Sequence, residues 1–462
     1  MPMTTTAPQT HASGNLRLVD GSSVAVIGAG PAGSFFSYFV LQLCERAGLA
    51  LEVDLYESRD FLQPGPQGCN MCGGIISESL VQNLAVEGIN LPPSVVQRGI
   101  DSYVLHTDVG SARIELPLHE MRIGAVHRGA GPRDVAERKW QSFDRYLLEQ
   151  SLARGAKHVA ARVEDVGWQN GRPWLKARGA EARLYDLMVV ATGVNSPTLK
   201  LFEKLDVGYR RPETTKTLIW EYRLGANVIS ESLGNSMHVF LLDLPRLEFA
   251  ALIPKGDYVT LCLLGEDIDS ALGDEFTGTP QVRAVMPPGW KASERSCQCL
   301  PRINVKGVDQ PYADRLLFIG DCGITRLYKD GIGAAYRTAK SAARAAVFGG
   351  ISEAAFRRHY RPVCRTVARD NVLGRITFRF TRLVQHNRVL RKALLRAVRA
   401  EQRQSGEARR LSGILWDMFS GTAPYRDIFG RMLHPGFLLR LAWAVAASAG
   451  EEGPPLKAEV RS

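Results

Sequence analysis

Apolar residues fall in three kinds of pattern along the chain, and their order predicts an architecture. From Ser23 the run SVAVIGAG is continuously apolar, as expected of a strand buried on both faces. It breaks at glycine and gives way to PAGSFFSYFVLQLCERAG, where apolar residues recur at helical spacing up to Gly48. LEVDLYE then reads as a second strand. FDRYLLEQSLARGA, from Phe143, predicts an amphipathic helix closing at Gly155, and LYDLMVVATG predicts another buried strand running into a glycine turn. Between about Thr215 and Glu266 the pattern changes. TLIWEYRLG, SMHVFLLDL, LEFAALIP and DYVTLCLLG are β runs separated by turn residues, with no helix long enough for a crossover, so they predict an antiparallel sheet. DRLLFIGDCG returns to a buried strand, GIGAAYRTAKSAARAAVFGG predicts a small-residue helix, and the chain after Ile351 reads as helical and arginine-rich.

The fold class is therefore α/β: a Rossmann-like domain built from two separated segments, an inserted antiparallel-sheet domain and a C-terminal helical appendix. The expected boundaries are a disordered tail over 1–20, the first part of the nucleotide-binding domain over 21–210, the sheet over 211–300, the second part over 301–350 and the helical region over 351–462. A chain of 462 residues is long enough for a large and a smaller domain. Its 45% hydrophobic and 23% charged residues are ordinary for a globular protein. Eight cysteines lack the density of a secreted disulfide scaffold, and MPMTTTAPQTHASGNLRLVDG has no apolar run. A cytoplasmic location is the expectation. The net charge of +11 is localised. Residues 356–441 hold 19 Lys and Arg against 5 Asp and Glu, so the remainder is slightly acidic.

Gly28, Gly30 and Gly33 form GxGxxG directly after a strand and at the start of a helix. The first glycine permits a tight turn, the second lets backbone approach a pyrophosphate, and the third lets helix pack closely on strand. Pro31 and Ala32 lie inside this turn, where the helix N-terminus offers N–H groups to phosphate. Glu57 ends the next strand, placed to accept a ribose hydroxyl, with Ser58 beside it. These residues point to a dinucleotide.

LLFIGDCG puts Gly320 and Asp321 after a strand, ahead of KDGIGAAYRTAKSAA, and DLMVVATGVNS spans 186–196. These segments resemble the second FAD motif and the "DLVVxAxGxxS" strand of the p-hydroxybenzoate hydroxylase-like flavoproteins, over roughly Ser22 to Gly350. The resemblance implies FAD as cofactor. It implies that Asp321 and the Gly331-Ile332-Gly333 turn contact it, with Val163, Thr192, Gly193 and Gly320 in the same set. Many relatives carry an arginine three residues before the helix at Phe143; this chain has Trp140 there, with Arg138 and Lys139 adjacent.

GCNMCGG, residues 68–74, leaves several readings open. It is similar to the Cys-Gly loop of the geranylgeranyl reductase branch, whose members reduce isolated C=C bonds of prenyl chains. That resemblance places Cys72, Gly73 and Gly74 beside the flavin, with Cys72 tuning it or donating a proton. Alternatively Cys69 and Cys72 form a reversible disulfide, or they join Cys297 and Cys299 as metal ligands, or all are buried thiols without chemistry. No metal is the expectation. Cys44, Cys262, Cys322 and Cys364 read as packing residues.

In such a reductase, reduced flavin N5 delivers a hydride and a proton reaches the other carbon. Candidate donors are Cys72, Tyr328 and Lys329, the last two in TRLYKDGIG, which reads equally as a packed turn. The "YxWxFP" strand of geranylgeranyl reductases corresponds to FAALIP over Phe249–Pro254, with Ala251 in place of Trp, which implies an apolar pocket of altered shape. There is no second GxGxxG, so NAD(P)H visiting the flavin or a reduced electron-carrier protein is the expected donor.

RITFRFTRLVQHNRVLRKALLRAVRA mixes arginine with apolar residues at near-helical spacing, and HPGFLLRLAWAVAAS follows. Neither reads as a membrane span. A peripheral site on an anionic membrane face and a helical cap with a solvated arginine face are equal readings; no nucleic-acid module is present. The leading function is FAD-dependent reduction of C=C bonds in an isoprenoid or other apolar substrate. A flavin monooxygenase or hydroxylase, and a non-enzymatic prenyl-lipid carrier similar to the GDP-dissociation inhibitors, are the alternatives.

Overall fold

The computed structural model describes residues 16–69, 71–115, 123–135, 139–404 and 409–449. The chain divides into two compact units, each assembled from three separated stretches. The first comprises residues within 1–63, 142–214 and 302–369, the second residues within 64–141, 215–301 and 370–462.

The first unit is built on a six-stranded sheet in the order Tyr312–Ala313, Leu316–Phe318, Leu187–Val190, Ser23–Ile27, Glu52–Tyr56, Lys157–Val159. All neighbours are parallel except the first pair, which is antiparallel. The central strands are apolar on both faces because both faces are covered; Val24, Val26, Leu187, Val189 and Val190 are fully buried. The helix Pro31–Ala47 starts with proline, whose missing N–H costs nothing there, and ends at Gly48 in the left-handed region. It packs against the helix Gly331–Arg344 through Phe35 and Phe39, both edge-on to Tyr336 at 5.6 and 5.5 Å. The alanines of that second helix allow the close approach. The helix Phe143–Ala153 is capped by the Ser142 hydroxyl, which accepts from the Arg145 N–H. A three-stranded antiparallel sheet, Arg183–Leu184, Arg172–Ala177, Val163–Gln169, completes the unit.

The expected tail is anchored well before Gly21. Leu18 is buried, and the Leu16 carbonyl accepts from the Ile351 N–H at 2.8 Å. The part of the tail before Leu16 lies outside the described residues.

In the second unit, seven strands form one sheet in the order Cys297–Cys299, Leu218–Arg223, Tyr258–Gly265, Leu247–Lys255, Ser236–Phe240, Ser102–Thr107, Gly110–Glu115. The four β runs expected between Thr215 and Glu266 are all present. Three further strands, from residues 102–115 and 297–299, extend the sheet on both sides, and Ser236–Phe240 pairs parallel with Ser102–Thr107. One face of this sheet packs on the helices Ala226–Ser232, Ser270–Gly278 and Pro280–Val285. Trp220, Leu252, Leu261, Ile229, Phe276 and Val282 share that core. A small antiparallel sheet of Ile75–Ile76, Ile123–Val126 and Val96–Ile100 lies in the same unit.

The arginine-rich region is helical, as expected: Arg361–His386, Arg388–Gln402, Arg410–Ser420, Tyr425–Met432 and Pro435–Ala449. From Asp370 onward it belongs to the second unit and packs on its sheet. Phe378 stacks on Phe249, Trp416 meets Tyr103 edge-on at 4.9 Å, and Arg391 pairs with Asp108 at 2.5 Å. No helix among the described residues is long and apolar enough to cross a membrane.

Trp220 is fully buried, with Arg295 stacked over its ring at 3.6 Å. Trp220→Ala removes the largest side chain of that core. The expected cost is about 3–5 kcal/mol in denaturant unfolding of the second unit; a loss below about 1 kcal/mol contradicts this packing.

Candidate functional site

In an open parallel sheet, ligands bind beyond the carboxyl ends of the strands. Four neighbouring strands of the first unit end side by side in the expected motifs. Leu316–Phe318 leads to Gly320 and Asp321, Leu187–Val190 to Thr192 and Gly193, Ser23–Ile27 to Gly28, and Glu52–Tyr56 to Glu57. The ladder carries on into the loops: the Gly28 N–H donates to the Tyr56 carbonyl at 2.8 Å and the Ala191 N–H to the Ile27 carbonyl at 2.8 Å. Gly28 has φ of 103°. A Cβ at Gly33 would stand 1.8 Å from the Gly28 carbonyl oxygen, so the helix meets the turn only because residue 33 has no side chain. Gly30 is the N-cap of that helix. Its carbonyl takes the Ser34 N–H, and Pro31 offers no donor, so Ala32 and Gly33 carry the open N–H groups of the first turn.

The Glu57 carboxylate is fixed by two backbone donors, from Ala29 at 3.1 Å and Arg59 at 2.9 Å, and each oxygen keeps a lone pair for a further donor. Asp321 and the Gly331 turn come together: a Cβ at Gly331 would lie 3.9 Å from Asp321 Oδ1, and one at Gly320 only 2.7 Å from the Ala32 Cβ. Ile332 and Gly333 are buried at the start of the helix Gly331–Arg344. Val163 is buried in the core beside Ala25, Ile27 and Tyr56. Ser58 is exposed. The Thr192 hydroxyl is buried and has no hydrogen-bond partner among the described residues. A buried hydroxyl left unpaired is costly. An orphaned hydroxyl, a fixed carboxylate and a glycine cradle at adjacent strand ends fit a dinucleotide. Gly28, Gly30, Ala32, Gly33, Glu57, Thr192, Gly193, Gly320, Asp321 and Gly331 are the residues that would hold one.

Tyr328 and Lys329 sit, half-buried, in a turn that takes two left-handed residues, Tyr328 at φ 58° and Asp330 at φ 55°. The sequence pointed at those two, but the structured element is their neighbour. The Asp330 carboxylate is 2% exposed and pairs with Arg337 at 2.9 Å and Arg326 at 3.7 Å. It occupies the space where a side chain at Gly333 would go.

The loop bearing Cys69, Cys72, Gly73 and Gly74 belongs to the second unit. It is clamped along residues 126–131. The Gly65 N–H donates to the Gly131 carbonyl and the Val126 N–H to the Gly74 carbonyl, both at 2.8 Å. Gly74 has φ of 71°, and a Cβ there would collide with the Val126 carbonyl oxygen at 2.1 Å. A Cβ at Gly73 would stand 3.0 Å from Cys262 Sγ. Protein packing alone therefore demands glycine at 74. All eight cysteines are thiols. Cys69 Sγ accepts from the Met71 N–H at 3.2 Å and Cys72 Sγ from the Gly74 N–H at 3.4 Å, so each sulfur closes its own small turn. Among the described residues no group of three or more His, Cys, Asp or Glu is arranged to hold a metal ion.

The sheet face opposite the helical core bears Cys297, Cys299, Ile219, Glu221, Tyr258, Thr260, Cys262, Ile253 and Lys255, which strand alternation and register bring to one side. Burial pushes the Cys69 thiol up to about 11, and pushes Cys297 and Cys299 up as well, with Glu221 adding to each. Glu221 accepts from the Thr260 hydroxyl at 2.9 Å and faces the Lys255 ammonium at 3.8 Å. Burial raises Glu221, while Lys255 and Thr260 oppose the rise. Lys255 is 1% exposed and donates no hydrogen bond within the described residues. Trp140 stacks on His127 with ring centres 4.7 Å apart, and both rings keep a buried nitrogen without a partner among the described residues. The sequence comparison set Trp140 where relatives have a phosphate-binding arginine; here it forms this stack in the second unit. Lys139 is exposed, and Arg138 lies outside the described residues. Sequence reasoning missed Lys255, Glu221, His127 and Thr260. Lys255 follows an apolar run like an ordinary strand end, and only the alternation within LEFAALIPK signals that it faces inward.

No family model matches this chain, and no curated protein matches it. Solved structures do. A geranylgeranyl bacteriochlorophyll reductase-like protein from Thermoplasma acidophilum superposes with a TM-score of 0.63 at 14% identity, over 90% of this chain and 99% of that one. The fold is that of the FAD-binding flavoproteins. A flavoprotein/dehydrogenase from Cytophaga hutchinsonii gives a TM-score of 0.57 at 16% identity, over 94% and 100% of the two chains. The halogenase PltM in complex with phloroglucinol and FAD gives 0.57 at 12% identity, over 93% and 91%.

Three buried histidines, His106, His127 and His238, are held below the ordinary histidine range by burial, His238 to about 4. A depressed histidine contributes stability above its unfolded value near 6.5, and loses it as pH falls toward 4. The unfolding midpoint is therefore expected to drop on acidification through that window. His127→Phe, which removes an unpartnered nitrogen, should make the drop shallower. An unchanged pH slope in that variant contradicts the assignment.

Proposed function

We propose that this chain is an FAD-dependent oxidoreductase that reduces a C=C bond of an isoprenoid or other apolar substrate. The observation that carries the flavin part is the gathering of Gly28, Glu57, Thr192 and Gly320-Asp321 at four adjacent strand ends, with the Thr192 hydroxyl left without a partner among the described residues. The substrate part is supported by the second unit's sheet. Beside the polar corner of Glu221, Thr260 and Lys255, the same face runs on through Phe249, Ala251, Val239 and Leu105, which are all buried and apolar. The C-terminal helices cover the far end of this face, with Phe378 on Phe249 and Trp416 on Tyr103, so an apolar substrate would lie along the stretch next to the polar corner. The reductase-like neighbour adds weight to this choice, and it is the fold alone that the two proteins share.

When bound, the flavin supplies the two-electron reduction; the protein's own part is binding, orientation and proton supply. Glu57 would take a ribose hydroxyl, and the first turn of the helix from Pro31 would face phosphate. Asp321 would hold the cofactor near the start of the Gly331 helix. Cys72, half-exposed and lightly held by one backbone N–H, is the proposed proton source, with Tyr328 and Lys329 as the other candidates. NAD(P)H or a reduced carrier protein is the proposed electron donor.

Two variants separate these roles. Asp321→Ala should lower the flavin retained after gel filtration by about tenfold or more, corresponding to roughly 1.5–3 kcal/mol for a charge-assisted hydrogen bond; undiminished flavin contradicts its role. Cys72→Ser should keep flavin and, in a single-turnover assay of dithionite-reduced protein with a prenyl alcohol, slow substrate reduction about 10²-fold or more. Unchanged turnover removes Cys72 from the chemistry. Substrate-coupled oxygen consumption with hydroxylated product would replace the reductase reading with a monooxygenase.

A further inference from the structure

We propose that the C-terminal helices of the second unit dock on an anionic lipid surface. This inference stands on surface composition and does not depend on the flavin reading. The helix Arg361–His386 turns Val372, Ile376, Phe380 and Leu383 outward, a single face at three- and four-residue spacing, with Leu383 58% exposed. A second set surrounds the last helix. Leu433, Leu438, Leu439 and Trp443 are exposed, Leu439 to 72% and Trp443 to 67%. Scattered single apolar residues on a surface need no explanation, but whole helical faces of Leu, Ile, Phe and Trp do.

The charges tell which occupant fits. Arginines of this region divide into two groups. Those facing the sheet are used up: Arg382 pairs with Glu248, Arg391 with Asp108, and Arg399 donates to the Ser111 carbonyl. Others are not. Arg375, Arg379 and Arg388 are exposed and make no ion pair among the described residues. Residues 371–404 hold nine Lys and Arg against one Glu.

Exposed Leu and Ile have no partner on a nucleic acid, and two copies of this face would set arginine against arginine. An interface of acyl chains beneath anionic headgroups satisfies both kinds of side chain. Leucine and tryptophan enter the acyl boundary, and arginine remains with the phosphates.

The test uses the full chain and vesicles of phosphatidylcholine with or without phosphatidylglycerol. Sedimentation should bring the protein down with the anionic vesicles only, and added salt should release it. Each arginine removed near the surface should weaken binding about fivefold, so Arg375→Gln with Arg379→Gln should cost roughly twenty- to thirtyfold. Trp emission should shift to the blue on binding, and Trp443→Ser should abolish most of that shift while leaving flavin content unchanged. Absence of binding to anionic vesicles overturns the proposal. So does binding that the arginine variants do not weaken, or a concentration-dependent dimer that Leu439→Asp dissolves without any vesicle binding.

Discussion

The first unit depends on one close approach: the helix Pro31–Ala47 lies against the turn after its own strand. A Cβ at residue 33 would fall 1.8 Å from the Gly28 carbonyl oxygen. Remove that contact distance and the helix must tilt or slide away. The rest follows from it. With the helix seated, its first turn abuts Gly320, and the loops after four parallel strands end at one level. Glu57 then reaches back to the Ala29 N–H, and the Thr192 hydroxyl is enclosed without a partner among the described residues. Glycine here is a steric requirement, set by backbone atoms that have no room to retreat.

The second unit solves a different problem. A sheet of seven strands needs both faces covered: one packs on the helices of the apolar core, and the other is covered in part by the C-terminal helices, with Phe378 on Phe249 and Trp416 on Tyr103. The other face carries Lys255, Glu221, Thr260 and several thiols amid apolar neighbours. The buried Lys255 ammonium is balanced by the Glu221 carboxylate at 3.8 Å and makes no closer hydrogen bond among the described residues. Together with the buried nitrogens of His127 and Trp140, which have no partner among the described residues, it places several incompletely bonded polar groups on this side of the sheet.

Much of this was legible in the chain. Long apolar runs ending in glycine gave the parallel strands, because burial on both faces leaves no ambiguity of period. The four β runs after Thr215 were equally plain. The strands Val96–Ile100, Ser102–Thr107 and Gly110–Glu115 were not. They are short, interrupted by Arg98, Asp101, Asp108 and Arg113, and they take their strand form from pairing with Ser236–Phe240 and the small sheet. The polar corner was hidden for a related reason. Glu221 and Lys255 belong to strands read correctly as strands, but charged residues in such runs are normally the solvated half of an alternation. Only the register that sets Glu221 opposite Thr260, two strands from Ile253, shows that they point inward. In the opposite direction, GCNMCGG reads as a flavin-side loop, a disulfide or a metal motif, and its Gly74 and Gly73 answer first to the Val126 carbonyl and the Cys262 sulfur.

The central claim is that the four strand ends of the first unit hold FAD. The most direct measurement is the absorption spectrum of the purified protein after reconstitution with FAD and gel filtration, with released flavin quantified against protein. The account predicts one FAD per chain, and a clear loss of it in Thr192→Val, which keeps the shape of the side chain and removes the orphaned hydroxyl. A protein that stays colourless after reconstitution, with no change in the quenching of added FAD, would contradict it.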